Sequence, residues 1–93
     1  LEDVNQIEII SNRILEFIKN KKIEEARKLV YNGTDIELLF KDLYLQLMAK
    51  DYDIAIKQQI NEIAKQSNYW LAGALYNEIA FEGFLWGLLK VRL

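Results

Sequence analysis

Apolar positions recur at helical spacing along almost the whole chain, and short polar breaks divide it into five segments. Ile14, Leu15, Phe17 and Ile18 form the first stripe. Ser11, ahead of it, has a hydroxyl suited to cap a helix N-terminus, and Asn20-Lys21-Lys22 ends it as a polar turn. Residues 1–10 then read as a linker or a helix extension from an upstream domain, and 11–93 as a helical domain. A second helix is predicted over 23–31, with Ile23, Ala26, Leu29 and Val30 inward and Glu24 and Lys28 as an i,i+4 pair. Asn32-Gly33 stops it, Gly33 suiting a left-handed C′ position. Thr34-Asp35-Ile36-Glu37 has the form of a capping box, which opens a third helix over 35–49. Its stripe is Ile36, Leu39, Phe40, Leu43 and Leu47. After a break at 50–53, a fourth helix over 54–66 turns Ile56, Ile60, Ile63 and Ala64 inward. Asn68 is read as the cap of a fifth helix over 69–91. No proline interrupts any stripe, so the pattern predicts an all-α, five-helix bundle with a long apolar C-terminal helix.

At 100° per residue, the predicted fifth helix has three faces. Trp70, Ala74, Phe81, Phe84, Leu85 and Leu88 make a large apolar face. Gly73, Ala80, Gly83 and Gly87, with Tyr76, make a small one. Each interior glycine costs about 0.8–1.0 kcal/mol against alanine, which close approach of another backbone would offset. Glu78 and Glu82 lie on the third face, flanked by Leu71, Leu75, Trp86 and Leu89. Acids rimmed by leucine and tryptophan suggest an interface seam awaiting a cationic partner. Gly73, Tyr76, Glu78, Glu82, Gly83, Trp86, Gly87 and Leu89 are thus the candidate subunit-interface residues. A membrane span is disfavoured, because two glutamates would sit near the bilayer centre.

Composition sharpens this picture. The chain has 93 residues, 52% of them hydrophobic. The usual apolar share is about 45–50%. A chain this short buries only about 60–65% of its unfolded surface. Apolar surface in excess of what the domain can hide implies a partner and an oligomer. There is no His and no Cys, which removes imidazole or thiolate nucleophiles, most zinc sites and disulfides. The formal charge of −2 lacks the basic balance of a dedicated nucleic-acid binder. The first residues have no leader character. Residue 1 is Leu and the only methionine is Met48, so the chain is expected to be part of something longer and intracellular.

Other candidate chemistry is sparse. Glu78 and Glu82 have a spacing that permits acid–base or metal work, but no further polar groups converge on them, which favours interface acids. Asp51-Tyr52-Asp53 can be read as a divalent-cation site or, more simply, as an interhelical turn. Lys19, Lys21 and Lys22, with Arg13 near them, form a small basic knuckle, a candidate for weak DNA contact against the simpler reading of a solvated turn. Trp70 and Trp86 have rings that can stack on bases, yet their settings favour the core for Trp70 and a subunit contact for Trp86.

Over residues 11–89 the ordered set of helices and turns resembles the C-terminal collar domain of sliding-clamp loader subunits, the replication factor C small-subunit family and its T-even-type phage counterpart. The resemblance rests on several segments. They are the short helix, turn and short helix over 14–27, the Gly33-Thr34-Asp35-Ile36 start, and Leu39-Phe40-Lys41-Asp42-Leu43-Tyr44. To these it adds Ile63-Ala64, Tyr69 and Gly73, and the closing run Glu78-Ile79-Ala80-Phe81-Glu82-Gly83-Phe84-Leu85-Trp86-Gly87-Leu88. Ala80-Phe81 in place of a Gln-Leu pair, and Gly87, depart from the family pattern. The resemblance implies a non-catalytic domain that holds five subunits in a ring during ATP-dependent clamp loading in DNA replication. ATP and Mg would belong to an upstream AAA+ module of the parent, since the chain has no phosphate-binding loop with Lys-Ser/Thr. The implied partners are other loader subunits and, through the parent complex, the sliding clamp and primer-template DNA. The implied location is cytoplasmic, or nuclear in a eukaryote. The competing class is a general helical interaction module or a small immunity- or antitoxin-type protein.

Overall fold

The computed structural model describes residues 4–30, 35–73 and 75–93, with side chains from Gln6 onward. Among these, the chain forms five helices and no strand: α1 (Val4–Lys19), α2 (Ile23–Val30), α3 (Ile36–Ala49), α4 (Ile54–Ala72) and α5 (Asn77–Leu88).

The stripe that drives α1 begins a turn earlier than its strongest run suggests. Ile7, Ser11, Ile14 and Ile18 fall on one face and are all buried, so the helix continues back to Val4. Ser11 is therefore not an N-cap. It lies mid-helix, fully buried, and its hydroxyl has no hydrogen-bond partner. The polar turn after α1 is a Schellman motif: the Lys22 amide donates to the Phe17 carbonyl (2.7 Å) and the Lys21 amide to that of Ile18 (3.0 Å). Lys21 occupies the left-handed position (φ 60°), which a non-glycine residue adopts at a cost.

α2 buries Ala26 and Val30 as expected and leaves Ile23 and Leu29 half-covered. Its surface pairs run i,i+3, Arg27 with Glu24 (3.0 Å) and Lys28 with Glu25 (3.7 Å), in place of the predicted Glu24–Lys28 pair. The predicted stop at Asn32-Gly33 and the cap at Thr34 lie outside the described residues. The N-cap of α3 is Asp35, whose carboxylate accepts from the Leu38 amide (3.2 Å). Glu37 is then the second helical residue, and the capping box is not formed as predicted.

The largest departure comes after residue 66. α4 runs on through Tyr69, Trp70 and Leu71 to Ala72, Asn68 is interior to it, and the last helix starts only at Asn77. The predicted long C-terminal helix is thus the end of α4, a break that begins at Gly73, and a short α5. The reason is compactness. α4 and α5 unbroken would make a rod of about 52 Å, whereas the longest dimension of the domain is 35 Å. Folding back drives Phe81, Phe84, Leu85 and Leu88 to zero exposure. Burying each is worth about 1.5–3 kcal/mol, more than one turn of helix can offer.

α5 is the central element and packs on α2, α3 and α4, while α1 packs on α2 and α3. Phe81 and Phe84 meet Phe40 of α3 edge-to-face, with centroids 6.5 and 4.9 Å apart. Leu39, Leu43 and Leu47 complete the wall that α3 presents. The helix directions follow from two contacts. A small pocket holds Lys19 at the end of α1 beside Lys50 at the end of α3. The Lys21 ammonium donates to the Leu89 carbonyl at the end of α5 (2.6 Å). The C-termini of α1, α3 and α5 therefore share one pole, and α4 and α5 lie antiparallel. No helix among the described residues is long and apolar enough to cross a membrane.

Two stability changes follow. Phe84→Ala should cost about 3–5 kcal/mol in chemical denaturation, because it empties a fully buried site and removes the nearer of the two α5 rings that pack on Phe40. Ser11→Ala should instead stabilise the domain by about 1 kcal/mol, since it removes a buried hydroxyl with no partner. A loss on Ser11→Ala would show that the hydroxyl makes a bond in solution.

Candidate functional site

Antiparallel packing of α4 and α5 leaves an open groove of about 1160 Å³ along their outer side. Its α5 wall is built from positions one turn apart: Tyr76 ahead of the helix, then Ile79, Gly83, Trp86 and Gly87. Its α4 wall runs from Ala55 through Gln59, Ile63 and Gln66 to Trp70. One end lies near Lys90 and Val91, the other at Leu75 and Tyr76. The apolar side chains here face solvent: Leu75 is 87% exposed, Ile79 65% and Trp70 59%. Trp70 thus belongs to α4 and the groove, not to the core face predicted for it.

The two mid-helix glycines play different roles. Gly87 lies where α4 presses closest: a Cβ there would come within 2.7 Å of the Ile63 Cγ2 methyl. The close approach inferred from the small face is met by a side chain of the same chain. Gly83 has nothing within 4 Å of where its Cβ would stand. Its helix-propensity cost has no offset inside the domain.

The predicted interface residues divide accordingly. Gly73, Tyr76, Gly83, Trp86 and Gly87 line the groove. Glu78, Glu82 and Leu89 do not. Glu82 turns toward α2, where one carboxylate oxygen lies 2.7 Å from the Arg27 Nε and 3.4 Å from the Trp86 indole N–H, which donates to it. The cationic partner expected for the acid seam is therefore Arg27 of this same chain. The two side chains are 17% and 34% exposed, so the pair is sheltered more than most surface pairs. Burial opposes the charge on Arg27, but Glu24 and Glu82 outweigh it and hold its pKa above the usual value. Glu78 is half-buried in the first turn of α5, where a carboxylate complements the positive end of the helix dipole. Leu89 packs against the core and offers its carbonyl to Lys21.

Sequence periodicity did not point to Ile79 or to the glutamine-lined wall of α4, because both become groove residues only once the chain folds back at Gly73. Asp51, Tyr52 and Asp53 form the α3–α4 turn, and burial raises the pKa of the Tyr52 hydroxyl. Among the described residues, no three acidic side chains gather in a way that would hold a metal ion. The chain matches no protein-family model, no curated protein and no solved structure.

The glycine contrast is open to direct measurement. Gly83→Ala should raise the stability of the monomeric fold by about 0.8–1.0 kcal/mol, the gain in helix propensity. Gly87→Ala should lower it, because overpacking against a β-branched side chain costs about 1–3 kcal/mol and outweighs the same gain. Equal shifts in thermal melts of the two variants would contradict the assignment of Ile63 as the neighbour of Gly87 alone.

Proposed function

We propose that this domain is an assembly module that takes an apolar helix of a neighbouring subunit into the α4–α5 groove. The observation that carries the reading is the groove itself, which is open to solvent, aromatic at its far end and lined by Ile79 and Trp86 of α5 and by Ile63 and Trp70 among the glutamines of α4. A contiguous exposed apolar surface of this kind marks an interaction site more often than a free surface. Trp and Tyr, present on both sides of it, are the residues that dominate binding energy when desolvated. Gly83 fits the same reading, since its bare backbone leaves room for a partner helix at a position where the chain itself needs none.

In its specific form the proposal is that of a collar: a domain of a sliding-clamp loader subunit that keeps subunits in a ring while an upstream ATPase module, with its ATP and Mg, opens the clamp on primer-template DNA. The order of five helices and the turn residues over 11–89 support that form. In that form the groove contributes packing, and catalysis is left to the upstream module.

Sedimentation of the wild-type chain and of Ile79→Lys tests the assembly reading. The wild type should associate as its concentration rises. Ile79→Lys should be monomeric, with stability within about 0.5 kcal/mol of wild type, as expected for an exposed side chain. A wild-type chain that stays monomeric and fails to join the other subunits of its parent assembly would overturn it. The collar form has a separate test in the coding sequence ahead of Leu1. A phosphate-binding loop and an arginine finger there are expected, and their absence would sink that form while leaving the groove's role intact.

A further inference from the structure

The pole where α1, α3 and α5 end gathers cations that are far apart in sequence. Lys19 ends α1, Lys21 and Lys22 lie in the turn after it, Lys50 comes from the α3–α4 turn, and Lys90 and Arg92 from the segment after α5. Two contacts fix this juxtaposition: Lys21 on the Leu89 carbonyl, and the pocket of about 250 Å³ that Lys19 and Lys50 share with Asn12, Glu16 and Tyr52. Glu24 and Glu25, at the start of α2, are engaged by Arg27 and Lys28. Glu16 lines the same pocket, and Asp51 and Asp53 follow Lys50 in the α3–α4 turn. Elsewhere in the chain acids outnumber bases, so this pole is a local exception to a net charge of −2.

We propose that this pole binds the phosphate backbone of a nucleic acid. Lys19, Lys50, Asn12 and Tyr52 seat one phosphate in the pocket, and Lys22, Lys90 and Arg92 meet its neighbours along the strand. The pocket presents two ammonium groups and two neutral donors against one carboxylate, Glu16, a balance that still favours the oxygens of one phosphate. The half-buried Tyr52 hydroxyl stays protonated, and so a donor, to higher pH than usual. The cations continue beyond the pocket on three segments, which suits a polymer of phosphates better than a single one. A membrane surface fits less well. Of the five large apolar side chains more than 60% exposed among the described residues, Leu75, Tyr69, Ile79 and Tyr76 lie toward the far ends of α4 and α5, and Ile54 alone stands at this pole, whereas a membrane-binding face mixes several apolar groups with its basic ones. Three helix C-termini meet here, and their dipoles favour the cations. This accounts for the stability of the cluster and leaves the exposed ammonium groups free to bind. The inference is independent of what fills the α4–α5 groove.

Fluorescence anisotropy with a short labelled DNA duplex tests it. With three phosphates engaged, log K should fall against log salt with a slope of about −2.7. The double variant Lys19→Glu/Lys50→Glu should lose about tenfold or more in affinity, and Lys65→Glu, an exposed charge on α4 away from the pole, should lose little. If the reversed pair proves unstable, Lys19→Gln/Lys50→Gln serves instead, with a smaller loss in the same order. The proposal is overturned if the duplex does not bind, or if Lys65→Glu is as harmful as the double variant. It is overturned equally if inorganic phosphate alone or phosphatidylserine vesicles bind as tightly as DNA. A lower melting temperature in the double variant with unchanged DNA affinity would reduce the cluster to its helix-dipole role.

Discussion

Everything in this domain depends on the chain folding back after Ala72. The reversal brings α5 between α3 and α4, where Phe81, Phe84, Leu85 and Leu88 disappear from solvent together. With no disulfide and no metal group among the described residues, burial of this kind is the main term that opposes chain entropy. The aromatic contacts with Phe40 make the docking specific as well as favourable, since edge-to-face rings prefer one relative placement of the two helices. The same reversal creates the groove, because two antiparallel helices that meet closely at Ile63 and Gly87 stand apart around Gly83.

Inward stripes were legible in the sequence wherever the local pattern was strong. Leu39, Leu43 and Leu47 of α3, Ile14 and Ile18 of α1, and Ile60 and Ala64 of α4 are buried as their spacing implies. The turn at Asn20-Lys21-Lys22 was also legible, although the left-handed residue proved to be Lys21, which no propensity rule favours. Boundaries were less accessible. Ser11 looked like a cap because it precedes the densest apolar run, but tertiary burial of Ile7 carries α1 past it.

The α4–α5 break was hidden for a physical reason. Gly73 is its only strong local signal, and Tyr76, the residue that opens α5, makes no side-chain capping bond. What breaks the helix is the long-range gain from burying α5, which no window of local sequence contains. The face assignment inherited this error. Trp70 was placed with Phe81 and Phe84 by counting 100° steps through a turn that is not helical. Residues within α5 kept their relative positions, so Phe81, Phe84, Leu85 and Leu88 were grouped correctly, and Gly83 with Gly87. The acid seam illustrates the other limit: spacing placed Glu82 on a face but was silent on Arg27, which reaches it from a helix more than fifty residues earlier in the chain.

The shared pole of α1, α3 and α5 has an architectural consequence. α1 is 16 residues long, so its start lies about 24 Å from the pole where it ends. A body joined to the chain ahead of Val4 would enter at the far side from Lys19 and Lys50. The domain is in that sense directional, with the start of α1 at one extremity and the cationic pole at the other. Copies related by rotation about an axis parallel to α1 would carry their cationic tips on a single rim, away from the starts of their first helices.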